Sequence, residues 1–123
     1  MEESKRVPWA SWKVDGNEYK LKLTTGAITK LEESFKTNLI NILDGVPALK
    51  IMLTITHAAM QKFHHGIKYK EVEELFEKYI DEGGSQTAFL TEVFMPIYQA
   101  SGFFSGSMAE TMNEKIDEAK EQL

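Results

Sequence analysis

The chain has 123 residues, a formal net charge of −5 and no cysteine. This length suits one domain, and the lack of cysteine excludes disulfides and thiolate zinc sites within it. The acidic balance, with no cluster of Lys and Arg on one face, disfavours binding to nucleic acid or to anionic membranes. No apolar run reaches the ~18 residues that a membrane span needs.

The first part of the chain has the pattern of a β-hairpin. Apolar and polar side chains alternate from Tyr19 to Leu23, as in a strand with one buried face. Upstream, Trp12 and Val14 lead into an Asp15-Gly16-Asn17 turn. We therefore predict a hairpin over residues 8–24.

Four helical segments follow, which together form a helical body over residues 25–104. The first begins at Thr25, where the apolar spacing changes to three and four residues. The second has Pro47 in its first turn and is predicted to end near His64; because it is apolar on most sides, we expect it to be central. The third spans about 70–82, and the fourth begins after Ser85 as a cap and is kinked or divided by Pro96.

The C-terminal segment 105–123 is predicted to be an amphipathic helix with a thin apolar stripe. That stripe consists of Met108, Met112, Ile116 and Ala119, and charged residues dominate the remainder. Because short helices gain most of their stability from packing, we expect this helix to dock weakly, to fray and be mobile, or to await a partner. The predicted fold is thus mainly α, in one domain over residues 1–123: an N-terminal β-hairpin and a compact bundle of four to five helices.

No arrangement of residues indicates catalysis. His57 and His64 are two helical turns apart, which is too far for joint metal ligation, and we interpret His64 and His65 as residues in the last turn of a helix. Adjacent glutamates point about 100° apart on a helix and do not converge on a substrate. Phosphate loops, dinucleotide fingerprints and nucleophile elbows are absent from the sequence. We predict no enzyme activity, no cofactor and no metal site.

Two groups of aromatic and apolar residues could form contacts. Trp9, Trp12 and Tyr19 could stack on single-stranded nucleic acid, but strand alternation favours packing of Trp12 and Tyr19 on the helices. The second group is the candidate partner-binding surface, for which ordinary packing on the core is the alternative. It consists of Phe103, Phe104, Met108, Met112 and Ile116.

The segment YKLKLTTGAITKLEESFKTNLINIL, together with the hairpin before it and the later GFF turn, resembles the small tail assembly chaperones of long-tailed bacteriophages and prophages. The resemblance covers about residues 14–104. It implies a non-enzymatic protein that binds the tape measure protein, keeps its apolar helices soluble and helps tail-tube subunits to assemble. It also implies that a translational frameshift could add a second domain to some copies.

The leading hypothesis is therefore a tail assembly chaperone. Its expected partners are the tape measure protein, the tail tube protein and further copies of itself, as dimers or larger rings. We expect it in the cytoplasm of the bacterial host, since the polar N-terminus MEESKRVPWA is no signal peptide, and absent from the mature virion. The alternatives are a structural tail-completion or connector protein of the virion and, as a weaker one, a small metal-binding protein or enzyme.

Overall fold

The computed structural model describes residues 8–104, which form a two-stranded sheet followed by helices. In chain order the elements are β1 (Ala10–Val14), β2 (Asn17–Leu21), α1 (Thr25–Phe35), a 3₁₀ turn (Leu39–Leu43), α2 (Leu49–Met60), α3 (Tyr69–Asp81), α4 (Gln86–Phe89), a π-helical segment (Leu90–Phe94) and α5 (Met95–Ala100). The last three form one interrupted helix, so the described body has four helices. The predicted fold class, mainly α with an N-terminal hairpin, is confirmed.

The hairpin is closed by a two-residue turn. Asp15 and Gly16 both have positive φ, 54° and 78°, which is the backbone of the turn that matches the twist of paired strands. Asn17, predicted as part of the turn, is instead the first residue of β2 and pairs with Val14. Trp12, opposite Tyr19, is only 1% exposed, with Tyr79 and Phe89 against its ring, so its predicted packing role is confirmed.

Helix α2 is largely buried, as predicted for a central helix, but it is shorter than the apolar pattern suggested. It begins at Leu49, so Pro47 lies before the cap residue Ala48 and not in the first turn. It ends at Met60, after which the Gln61 N–H donates to the Ala58 carbonyl and the Phe63 N–H to the Met60 carbonyl, each only three residues earlier. The apolar Phe63 continues the helical spacing beyond Met60, which is why the helix was predicted to end later, near His64.

The last helix changes its winding before Pro96. In the segment Leu90–Phe94 the hydrogen bonds have the π-helical pattern, and the Met95 N–H donates to the Leu90 carbonyl five residues earlier instead of four. A proline removes one N–H and its ring crowds the carbonyl four residues before it, so a wider turn at this place relieves both problems. The predicted disruption by Pro96 therefore takes the form of a π-helical segment.

Side chains from the hairpin, α1, α2, α3 and the interrupted helix form one hydrophobic core. Its largest fully buried members are Trp12, Phe89, Phe94 and Tyr98. Within residues 8–104, no helix is both long and apolar enough to cross a membrane.

Candidate functional site

An open groove of about 680 Å³ lies between α1 and the C-terminal part of α2. On the α1 side it is lined by Thr24, Gly26, Ala27, Lys30, Leu31 and Ser34. On the other side it is lined by His57, Ala58, Gln61, Lys62 and His65. Its surface is mainly apolar, so it is suited to apolar side chains from another segment.

Small residues line the groove on both helices. Gly26 and Ala27 on α1 and Ala58 on α2 fill little of the space between the backbones. Leu31, 8% exposed, adds an apolar side chain from α1 that is anchored in the core. An incoming Leu or Met would fill space that these short side chains leave.

The charged residues that line the groove are basic. Lys30 is exposed on the α1 side and Lys62 on the α2 side, and no Asp or Glu among residues 8–104 lines the groove. Two lysines beside an apolar surface favour an amphipathic segment with acidic residues flanking its apolar stripe.

The wall formed by α1 is held at both ends. At its N-terminus the Leu23 N–H donates to Ser101 Oγ (2.9 Å), and the Ala27 N–H donates to Thr24 Oγ1 (3.2 Å), which caps the helix. Near its C-terminus Glu32 Oε2 accepts from the Leu39 N–H (2.8 Å). The groove is therefore formed before any ligand arrives.

His57 and His64 make structural hydrogen bonds. His57 Nε2 lies 2.8 Å from the Ile67 carbonyl oxygen and donates to it. His64 Nε2 accepts from the Lys20 N–H (3.1 Å), which requires a neutral ring. Burial, with the nearby Lys20 charge, lowers the pKa of His64 below its ordinary value and favours that form.

The structure corrects the predicted place of His64 and His65. Both lie beyond the end of α2 at Met60, in the turn that leads to Gly66. His64 faces a polar cleft of about 440 Å³ beside β2 and α3, whereas His65 borders both this cleft and the groove. Among residues 8–104, no three His, Asp or Glu side chains are grouped so that they could hold a metal ion.

The predicted partner-binding surface is only partly within the described residues. Phe103 and Phe104 are half-buried and pack against the core, and the Phe103 ring lies 4.6 Å from that of Tyr98. This contact is the one expected from ordinary packing at the end of the helical body. Met108, Met112 and Ile116 lie outside the described residues.

Trp9 lies outside the hydrophobic core, just before β1. Its ring lies 6.0 Å from that of Phe63, and the Lys20 Nζ lies 4.2 Å from its centre. Trp12, which the stacking hypothesis also needed, is buried in the core. The three aromatic residues Trp9, Trp12 and Tyr19 therefore do not form one exposed platform.

A protein-family model matches residues 10–121, from the first strand to beyond the last described residue. The chain belongs to DUF6096, a family of unknown function. No curated protein and no solved structure matches it. The DUF6096 match includes both walls of the groove and most of the segment 105–123.

The sequence pattern gave no indication of the groove. The apolar spacing of α1 and α2 marked the residues that enter the core, whereas the groove depends on residues that are too small to fill an interface. A signal was present in the short side chains of Gly26, Ala27 and Ala58, but such side chains occur in many well-packed helices. Which of them face each other depends on how the two helices meet, and the pattern of one sequence does not give that.

Proposed function

We propose that this member of DUF6096 is a tail assembly chaperone of a long-tailed bacteriophage or prophage. It binds apolar helices of the tape measure protein in the host cytoplasm, keeps them soluble while tail-tube subunits assemble, self-associates, and leaves before the virion is complete. The groove between α1 and α2 is the observation that supports this proposal best, because an apolar groove between helices is a common receptor for an amphipathic helix.

The size of the groove suits transient binding. Burial of two or three Leu-sized side chains contributes about 1.5–3 kcal/mol each. Association itself costs about 4 kcal/mol or more, so the net affinity of one groove for one helix is modest. A chaperone that must release its client needs such weak contacts, and several copies along a long client would add their effects.

Coexpression with the tape measure protein of the same phage tests the proposal. The wild-type chain should raise the soluble fraction of the tape measure protein several-fold. Ala27→Glu places a carboxylate in the groove at the third position of α1, where an acidic residue is compatible with the helix N-terminus. This variant should lose most of the effect, because an apolar client helix would have to desolvate the charge.

Thr29→Glu is the matched control. It introduces the same side chain on the same helix, at an exposed position that does not line the groove. It should solubilise the tape measure protein as well as the wild type does. An equally insoluble tape measure protein with and without the wild-type chain would refute the proposal, and so would finding the chain as a stoichiometric component of purified virions by mass spectrometry.

A further inference from the structure

The described chain ends close to one end of the groove. Ser101 Oγ accepts the N–H of Leu23, and the next residue, Thr24, lines the groove. Phe104, the last described residue, follows Ser101 by three positions. The segment that begins at Ser105 is therefore attached only four positions after Ser101, the residue that contacts the N-terminal end of α1.

The length of that segment matches the length of the groove. The α1 side runs from Thr24 to Ser34, which is about 15 Å at the rise of an α-helix. The apolar stripe predicted for residues 105–123 begins at Met108 and continues through Met112 and Ile116; with Ala119 it spans about 16 Å.

The charges are also complementary. Residues 105–123 contain five acidic and two basic side chains. Within the described part of the chain, the groove presents Lys30 and Lys62 and no acidic residue. An amphipathic segment with a Met-rich stripe and acidic flanks thus has the properties that the groove favours.

We propose that residues 105–121 dock in the groove of the same molecule, parallel to α1. Met108 then lies near Thr24, and Ala119 lies near Ser34. Because the segment is tethered at the end of the groove, its effective concentration there is on the order of millimolar, so even weak docking fills the groove. A client helix has to displace it, and this last statement alone rests on the proposed function.

Disulfide trapping in the full-length chain tests the docking, since the chain has no native cysteine. One variant combines Ser34→Cys with Ala119→Cys. The matched control combines Thr29→Cys with Ala119→Cys, because Thr29 is exposed on α1 but lies outside the groove. Circular dichroism establishes that both variants fold before oxidation.

We expect the Ser34 pair to form a disulfide within the monomer at least about ten times faster than the control pair, because the bond needs Cα atoms within about 7 Å. Equal rates for the two pairs would overturn the docking, as would the absence of a disulfide in the Ser34 pair. Disulfide-linked dimers as the main product would also overturn it, because the segment would then occupy the groove of a second copy.

Measuring the solubility of the tape measure protein distinguishes a failure of the docking from a failure of the proposed function. If the disulfide forms and the oxidised and reduced proteins solubilise the tape measure protein equally, the docking stands and the groove is not the client site. If no disulfide forms in the Ser34 pair but Ala27→Glu still abolishes solubilisation, the docking is wrong and the proposed function stands.

Discussion

Tyr98→Phe should destabilise the protein although it removes a single oxygen atom. Tyr98 is fully buried, and its hydroxyl donates to the Leu39 carbonyl oxygen at 2.8 Å, which joins α5 to the 3₁₀ turn. Burial, reinforced by the negative charge of Glu32, raises the pKa of the Tyr98 hydroxyl, so it stays a donor well above neutral pH. The Phe ring would keep the packing and lose the donor.

The expected loss of stability depends on what happens to the two partners of that hydrogen bond. A buried hydrogen bond contributes about 1 kcal/mol net, and an acceptor left without a partner costs about 1–3 kcal/mol. The Leu39 carbonyl keeps a backbone donor after the substitution, because it lies in the 3₁₀ turn, where each carbonyl accepts from the N–H three residues later. We therefore expect the free energy of unfolding to fall by about 1 kcal/mol, which lowers the Tm of a domain of this size by roughly 3–6 °C.

Urea denaturation followed by circular dichroism measures this change. Tyr69→Phe is the control: it removes the same atom from a half-buried tyrosine whose ring lies 4.2 Å from the Lys50 Nζ, and it should change stability by less than about 0.5 kcal/mol. If Tyr98→Phe lowers the free energy of unfolding no more than this control does, the hydrogen bond from Tyr98 to the Leu39 carbonyl does not stabilise the fold.

Three other predictions concern the backbone, pH and packing. Lys36 caps α1 with φ 57°, so Lys36→Gly should raise stability by about 0.5–1 kcal/mol, whereas Glu33→Gly within the helix should lower it by a similar amount in thermal unfolding. Because the pKa of His64 is lowered in the fold, the stability that its neutral ring provides is complete above the unfolded-state pKa of about 6.5 and is lost as the pH falls below that pKa. His64→Gln keeps a hydrogen-bond acceptor but does not titrate, so the free energy of unfolding should depend less on pH below about 6.5 in this variant. Gly84→Ala would place a Cβ 2.5 Å from the Tyr79 ring, so it should lower the Tm by several degrees; an unchanged Tm would mean that the ring moves at no cost.

The strength of each local pattern decided how far the sequence predicted the fold. The hairpin and α1 were predictable because the hydrophobic period changes from two to three and four residues at Thr25, which is where the helix begins. The end of α2 was misplaced because Phe63 kept the apolar spacing after the backbone had left the helix. Spacing reports which residues are buried, and a buried residue can follow a helix as well as belong to it.

The candidate site was less predictable because it depends on unfilled volume between two helices. The apolar residues Phe103 and Phe104, predicted as candidate contacts, both pack on the core. The groove arises from Gly26, Ala27 and Ala58, which carry almost no hydrophobic signal. Large apolar residues tend to be used for folding, so a preformed docking surface can be marked by the small residues that leave space.

The contacts that hold α1 also connect the groove to the end of the described chain. The Leu23 N–H to Ser101 bond fixes the N-terminal end of α1 against the last turn of the helical body. At the other end, Glu32 accepts from the Leu39 N–H, and the Leu39 carbonyl accepts from Tyr98. Both ends of α1 are thus connected to the segment 98–101, so the groove is preorganised. A bound segment would therefore lose less free energy to the ordering of the groove. The docking proposed for residues 105–121 depends on the same ties, because the bond between Ser101 and Leu23 brings the last turn of the helical body to the N-terminal end of α1.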